Sequence, residues 1–352
     1  MSYRTPEYNL GSSKPLINRE QNYVLDRKLL TVHSEDRDIT KWPNSNTFEI
    51  VLPETLLLVQ SMRLIQATLP DRFFVFSNDY QNTMFQFTIG SDSYIIDPIQ
   101  EGIYTPNQLS FELTNKMNKA IQPDASFNVF YDEVRSKFWF GHTDLSFNLD
   151  FDQQINYEAV SCEQPIMWNN YSKWGLPYYL GFEKKSYKSL TDTNGVSFDY
   201  ICPNSPSANY CPDIVHYVEA PLSFTIRGET CLYLEIDKYN NYDELYPYNE
   251  SSRQAFDNNA YSGKVNSAFA KIPIQYGGEP YSYDSRTFYL QNIVQYDPPI
   301  ERIARLKFKF RFHDGRLVNF QNFPFDFSIE FNCLRNEIEK KYNIRIPAAY
   351  IL

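Results

Sequence analysis

The stretch Arg305-Leu-Lys-Phe-Lys-Phe-Arg-Phe312 decides the fold of this chain, because apolar and cationic side chains alternate through all of it. A period of two is typical of a β-strand that buries one face and leaves the other polar. The turn His313-Asp-Gly315 follows, and a second alternating run, Phe325–Phe331, is predicted to complete an antiparallel pair with the first. The polar face of the first strand is a candidate interaction surface formed by Arg305, Lys307, Lys309 and Arg311.

This cationic face is expected to be solvated or to meet another protein. Contact with nucleic acid is the alternative, but the formal net charge of the chain is −10, which disfavours binding driven by counterion release from a phosphate backbone. Alternating Lys and Arg also discourage unwanted pairing at the edge of a sheet. No direct nucleic-acid partner is therefore expected.

Strand-like runs continue on both sides of this pair. They cover residues 28–33, 47–52, 56–69, 83–89, 93–97, 126–131, 137–141, 222–227, 231–236, 268–274, 287–294 and 316–320. One good helix is predicted, because Pro106 follows Thr105 and the apolar residues Leu109, Leu113 and Met117 recur at helical spacing. Many strands with one helix predict an all-β fold, an antiparallel jelly-roll β-sandwich.

The domain organisation follows from where this pattern stops. Residues 1–27 are predicted to be an extended N-terminal arm, and residues 28–334 a single jelly-roll domain. That domain carries an insertion at 152–215 and a long Tyr-rich loop at 237–266, and a short helix over 333–342 leads into a C-terminal tail, so that 335–352 is a helix or tail. Two stacked jelly rolls are the alternative, and one is favoured because a single helix and a single closing hairpin are recognisable.

Composition supports sheets and a water-exposed surface. Aromatic residues make up 17% of the chain, with 28 Tyr and 27 Phe against only 12 Gly, and aromatic side chains suit a pleated, half-buried surface. No apolar run approaches the roughly 20 residues that a membrane span needs. The first 19 residues lack the apolar core of a signal peptide, so synthesis in the cytoplasm is expected.

No motif predicts catalysis or a cofactor. The chain has no Walker-type glycine loop, no GxSxG and no HExxH pattern, and a glycosidase would need a pair of carboxylates that the spacing does not reveal. A zinc site made of Cys162, Cys202 and Cys211 is disfavoured, because structural zinc sites normally use closely spaced pairs. The chain is expected not to be an enzyme and to have no metal and no cofactor.

Two further groups are candidate interaction residues. The first is the charged cluster His33-Ser-Glu-Asp-Arg-Asp38, in which Glu35, Asp36 and Asp38 could bind a hard cation. The favoured alternative is a turn in which Arg37 pairs with a neighbouring acid. The second group is Trp168 and Trp174, which could stack on sugar rings as in a virion lectin, although Trp at such positions more often fills a core.

Several stretches together resemble the jelly-roll minor capsid and penton proteins of the nucleocytoplasmic large DNA viruses, such as the phycodnaviruses. They are Ser34–Asp38 with Pro43–Phe48 and Val51–Pro53, then Gly102–Thr105 leading into the helix at 109–118, then Ala304–Phe312, Asp314–Leu317 and Phe325–Phe331, together with Cys231–Ile236 and Ala268–Pro273. The long sections 152–215 and 237–266 depart from the simplest members of this family.

The resemblance implies a structural minor capsid protein of a large icosahedral double-stranded DNA virus. Such a protein cements or scaffolds the capsomers of the major capsid protein, and a penton subunit at the five-fold vertices is the nearest alternative. The implied location is the virion, and the implied partners are the major capsid protein, other minor capsid proteins and further copies of the chain. No membrane span is implied, and contact with an inner viral membrane stays open.

Overall fold

The computed structural model describes most of the chain. The described residues are 23–70, 73–123, 126–157, 166–170, 173–191, 196–197, 210–211, 214–225, 228–245, 265–274, 281–286 and 291–336. The N-terminal residues 1–22 and the C-terminal residues 337–352 lie outside this set. Among the described residues, no helix is both long enough and apolar enough to span a membrane.

The described residues form nineteen β-strands, all paired antiparallel, and three α-helices. The first strands are β1 (Tyr23–His33), β2 (Thr47–Leu69), β3 (Gln86–Ile89), β4 (Asp92–Ile95), β5 (Phe127–Asp132), β6 (Lys137–His142), β7 (Phe147–Asp150), β8 (Ser186–Lys188), β9 (Leu190–Thr191) and β10 (Val196–Ser197). The others are β11 (Tyr210–Cys211), β12 (His216–Glu219), β13 (Cys231–Ile236), β14 (Tyr242–Leu245), β15 (Val265–Ala268), β16 (Ala270–Pro273), β17 (Tyr281–Asp284), β18 (Ile293–Phe312) and β19 (Asp326–Asn336). The helices are α1 (Pro106–Ala120), α2 (Met167–Asn170) and α3 (Leu176–Tyr179).

A seven-stranded sheet is built from the two ends of the described chain. Its strand order is β1-β19-β2-β18-β13-β16, and β17 also pairs with β2. Register shifts along β2 bend the long strands, as β-bulges do. The sheet is curled. The rings of Phe308 on β18 and Phe327 on β19 lie 4.9 Å apart on its inner face, although β2 runs between these two strands. Its concave face encloses the first apolar core.

The described residues between 75 and 224, which lie between β2 and β13 in the sequence, form a second apolar core and are here called the inserted sandwich. Two four-stranded sheets, β4-β3-β7-β8 and β5-β6-β12-β9, face each other across it. The rings of Phe87 on β3 and Phe127 on β5 meet at 5.2 Å between centroids. The predicted all-β, antiparallel sandwich class is therefore confirmed.

Helix α1 confirms the predicted helix and its start. The Thr105 hydroxyl accepts a hydrogen bond from the Gln108 backbone N–H, the Gln108 side chain accepts one from the Thr105 N–H, and Pro106 stands in the first turn. Leu109, Leu113 and Met117 are fully buried, as their helical spacing predicts. They pack the helix against the inserted sandwich.

The predicted pairing of the strand at 305–312 with the strand at 325–331 is wrong. Strands β18 and β19 do not pair with each other, because each pairs with β2, which runs between them. Alternation fixes which face of a strand is buried but not its neighbour, and the 23-residue β2 is long enough to bond both. The predicted strand at 316–320 is reduced to one isolated bridge between Arg311 and Leu317, and Leu222–Thr225 is not a strand.

The strands at the two ends of the described chain extend beyond the predicted ones. Tyr23 to Arg27, assigned to the arm, belong to β1, and the predicted helix at 333–342 is wrong for its described part because β19 continues to Asn336. The remainders of both segments lie outside the described residues. The zinc candidates Cys162 and Cys202 and residues 287–290 of the predicted strand at 287–294 also lie outside the described residues, as does the Cys211 side chain.

Parts of the two long departures from the strand pattern lie among the described residues. Within 152–215, the segment Trp174–Phe182 packs into the inserted sandwich. Within 237–266, β14 and β15 pair as a hairpin, and residues 246–264 lie outside the described set. The division into domains at 28–334 stays a prediction, and two apolar cores lie within that range.

Candidate interaction surface

The cationic row of β18 runs from solvent into the protein. Arg305 and Lys307 are exposed, Lys309 is half-buried, and Arg311 is only 1% exposed. The Arg305 guanidinium lies 3.5 Å from the Glu49 carboxylate, and the Lys307 ammonium lies 5.5 Å from the centre of the Trp42 ring. The expected exposed face is thus present at Arg305 and Lys307.

At Arg311 the prediction of an exposed side chain is wrong. Its guanidinium forms ion pairs with Glu235 on β13 and Glu244 on β14, and it lies 5.1 Å from the centre of the Tyr233 ring. The His313 imidazole lies 3.0 Å from the same Glu244 carboxylate. Strand alternation could not reveal this burial, because β14 reaches the site from a distant part of the sequence.

The environment of Arg311 also affects Tyr233. Burial raises the pKa of the Tyr233 hydroxyl, and the nearby Cys231 and Glu244 raise it further. The phenol therefore stays protonated at neutral pH. The cluster of Arg311, Glu235, Glu244 and Tyr233 fastens the base of the β14–β15 hairpin to the seven-stranded sheet.

A second buried cation, Arg316, joins the two apolar cores. Its guanidinium donates hydrogen bonds to Asp314 and, at 2.8 Å, to Glu229, and it lies 4.2 Å from the centre of the Tyr80 ring. Glu229 also binds the Lys173 ammonium at 2.7 Å, next to the part of the chain that enters the inserted sandwich. The sequence predicts only a turn at residues 313–315 and gives no sign of this cluster.

The pKa values at this junction reflect burial and paired charge. Burial alone would lower the pKa of Arg316, but Asp314, Tyr179 and Glu229 outweigh it and raise the pKa. Burial raises the pKa of Tyr80 to about 12. The Arg316 guanidinium therefore stays charged at any physiological pH, which suits a structural fastening.

The charged cluster at 33–38 forms a turn at the end of β1. Arg37 donates hydrogen bonds to the carbonyl oxygens of Ser34, Trp42 (3.0 Å) and Pro43 (3.2 Å), so the expected pairing of Arg37 with an acid is wrong. The Asp36 carboxylate accepts the His33 backbone N–H at 2.9 Å. Within the described residues, no group of three or more His, Cys, Asp or Glu could hold a metal ion.

Asp38 closes the same turn. Its carboxylate accepts hydrogen bonds from the Thr40 hydroxyl at 2.6 Å and from the backbone N–H groups of Thr40 and Lys41 at 3.0 and 3.3 Å. The hydrogen bond from the Thr40 hydroxyl is the main reason that the pKa of Asp38 lies below its usual value. The Asp38 carboxylate, a candidate cation ligand in the sequence, therefore accepts hydrogen bonds from its own turn instead.

The two tryptophans lie together in the inserted sandwich. Trp174 is buried and Trp168 half-buried, and both line the same small cavity. The Lys184 ammonium lies 4.6 Å from the centre of the Trp168 ring and 5.6 Å from that of the Trp174 ring. Since Trp174 is buried and Lys184 lies against both rings, packing describes them better than an open stacking platform for a sugar.

Comparison with known proteins finds similarity to solved structures only. No family model matches the sequence, and no curated protein matches it. The chain is similar to the mavirus penton protein, with 10% identity over 89% of this chain and 99% of that one and a TM-score of 0.38. It is similar to a chain of the Sputnik virophage structure, with 9% identity over 89% and 98% and a TM-score of 0.41.

Proposed function

We propose that this chain is a structural protein of a large icosahedral DNA virus capsid, where it cements or scaffolds the capsomers of the major capsid protein. The observation that carries the proposal is a surface on β2 and β18 where cationic and apolar side chains are exposed side by side. Val51 is 68% exposed opposite Arg305, and Leu57 is 58% exposed opposite Arg302. We call this set, with Lys307, the mixed face.

The mixed face suits contact with another folded protein. Exposed aliphatic side chains offer area to bury, and the guanidinium groups can pair with carboxylates of a partner. Arginine in particular is enriched in protein interfaces, where its planar group binds carboxylates in a fixed geometry. A partner with an apolar surface ringed by acids would match this face.

Two buried ion-pair clusters also support a structural role. The two apolar cores are fastened by the buried Arg316 cluster, and the β14–β15 hairpin is fastened by the buried Arg311 cluster. Two antiparallel bodies joined in this way make a stiff unit from which loops can reach neighbours. The stretches that resemble the capsid family also coincide with strand and helix boundaries, at the end of β1, at the start of α1 and along β18.

The proposal is tested by cross-linking purified particles and identifying the linked peptides by mass spectrometry. Links from Lys307 or Lys309 to the major capsid protein and to other minor proteins are expected. Links confined to copies of this chain and to the capsomers around a vertex would favour a penton instead. Absence of the chain from the particle would overturn the proposal.

A second test uses charge reversal. The Arg305→Glu/Lys307→Glu double variant should lose binding to isolated capsomers in a pull-down, with retained thermal stability. Lys119→Glu is the matched control, because Lys119 is exposed on α1 and forms an ordinary surface pair with Asp97. Equal binding by all three proteins would contradict the role of the mixed face.

A further inference from the structure

Two of the sheet edges in this protein are closed by side-chain amides. At the edge strand β5, the Asn118 side chain on α1 accepts the Phe127 backbone N–H at 2.8 Å and donates to the Phe127 carbonyl at 2.9 Å. The Thr114 hydroxyl accepts the next outward N–H, that of Val129, at 2.9 Å. These side chains supply the bonds that a further strand would otherwise make.

The edge strand β16 carries the same arrangement. The Asn292 side chain accepts the Lys271 backbone N–H at 3.0 Å and donates to the Lys271 carbonyl at 2.9 Å. The strand is four residues long and ends at Pro273, which cannot donate a ladder hydrogen bond. This end of the seven-stranded sheet is therefore protected against pairing with another chain.

The opposite edge of that sheet, β1, has none of these features. It runs for eleven residues in unbroken register with β19, without a bulge and without proline. Among the described residues, β19 is its one neighbouring strand. Leu25 and Leu29 stand 57% and 64% exposed on it. A long, regular edge with exposed apolar side chains is a template for another strand.

The sequence of β1 is complementary to itself in the antiparallel direction. Around Arg27 the order is Leu25, Asp26, Arg27, Lys28 and Leu29, so that leucines and opposite charges stand at equal distances from the centre. We propose that β1 pairs antiparallel with β1 of a second copy, about a two-fold axis through Arg27. Asp26 then stands opposite Lys28 of the second copy, and Leu25 stands opposite Leu29 of the second copy, each twice.

The like-charged central pair does not prevent this arrangement. Each Arg27 already forms an ion pair with Glu330 of its own chain, and Glu330 also binds Arg63 at 3.0 Å. The two central guanidinium groups would therefore each sit beside a carboxylate. The interface is the same patch on both copies and closes after two, which distinguishes it from a five-fold contact. The inference does not depend on the proposed capsid role.

Sedimentation velocity of the full chain across a wide concentration range tests the proposal. A concentration-dependent dimer is expected for the unmodified protein. Asp26→Lys alone and Lys28→Asp alone each place two like-charged pairs across the axis, so each should weaken the dimer about tenfold or more. The Asp26→Lys/Lys28→Asp double variant restores opposite charges across the axis and should dimerise again.

The double variant also separates the interface from effects inside one chain. Asp26 pairs with Arg335 at 2.9 Å and Lys28 with Glu54 at 2.7 Å, and the exchange breaks both pairs. An effect within the chain should therefore be worst in the double variant, whereas an effect across the axis should be repaired there. Thermal unfolding of each variant checks that it is folded. A monomer at every concentration, a dimer indifferent to the single changes, or a double variant no better than the singles would overturn the proposal.

Discussion

The seven-stranded sheet and the inserted sandwich solve the same packing problem with different side chains. In the inserted sandwich, phenylalanine rings from facing sheets fill the space, as with Phe85, Phe140 and Phe182. The seven-stranded sheet also has an aromatic core, but the buried arginines of the described residues, Arg311 and Arg316, are both in or beside it. The comparison teaches that the two buried arginines lie where segments distant in the sequence meet.

The largest effect should come from removing a ring in the inserted sandwich. Phe140 is fully buried between Phe85 and Phe182, so Phe140→Ala should lower the free energy of unfolding by about 4 kcal/mol through lost burial and a cavity. Urea unfolding measures the loss, and hydrogen exchange by mass spectrometry locates it. Phe310→Ala in the seven-stranded sheet is the matched change. Equal loss of protection in both regions for either variant would show that they unfold together and would break the comparison.

Breaking the Arg311 cluster should be the next largest effect. Glu244→Gln leaves the buried guanidinium with Glu235 as its remaining anion, so the free energy of unfolding should fall by about 3 kcal/mol, at the lower end for a broken buried pair. Loss of protection should centre on the β14–β15 hairpin. Arg305→Gln is the control, since Arg305 is exposed and its pair with Glu49 should contribute less than about 1 kcal/mol. A Glu244→Gln variant as stable as the control would contradict the fastening role.

The two regions are alike in one respect, since each has a sheet edge that is closed by an asparagine side chain. Asn118→Ala should cost about 1–2 kcal/mol, because the Phe127 N–H and C=O each lose a partner. Asn292→Ala should cost a similar amount, since its amide makes the same two bonds to Lys271. Unfolding in urea gives both values. If Asn118→Ala left hydrogen exchange at β5 unchanged, that result would contradict the interpretation.

The sequence predicts burial along one strand better than contact between strands. The alternation at 305–312 places Leu306, Phe308 and Phe310 in the core as expected. The same alternation predicts an exposed Arg311, and this is wrong because Arg311 is buried by acids that come from β13 and β14. A period of two reports the two faces of a strand, whereas a hairpin packed across one end of the strand is a long-range event.

The candidate site residues also divide into those that contact near neighbours in the sequence and those that contact distant residues. The turn at 33–38 and the capped start of α1 depend on neighbours within a few residues, and both were recognisable, although the partners of Arg37 were not. The Arg316 cluster joins residues far apart in the sequence, Tyr80, Lys173, Glu229 and Asp314, and only the fold brings them together. No local pattern signals such a junction.

The smallest expected effect is a pH dependence at the turn that ends β1. In the folded chain the pKa of Asp38 lies below the usual value of an aspartate, chiefly because its carboxylate accepts a hydrogen bond from the Thr40 hydroxyl. The folded state therefore binds a proton at this site less readily than the unfolded state does, and stability rises with pH in this range. The contribution is fully present above about pH 4 to 5 and is lost as the pH falls through the lowered value.

Asp38→Asn should remove that contribution and nothing else. Thermal unfolding of the unmodified chain and of the variant should differ most near neutral pH and converge as the pH falls below the usual pKa of an aspartate. Thr40→Val, which removes the main hydrogen bond and keeps the carboxylate, should shrink the difference. Since the group is exposed, the shift in melting temperature should be far smaller than for Glu244→Gln. If the melting temperatures of the two proteins diverged as the pH falls, the pH dependence would have the opposite sign. A group other than Asp38 would then dominate it.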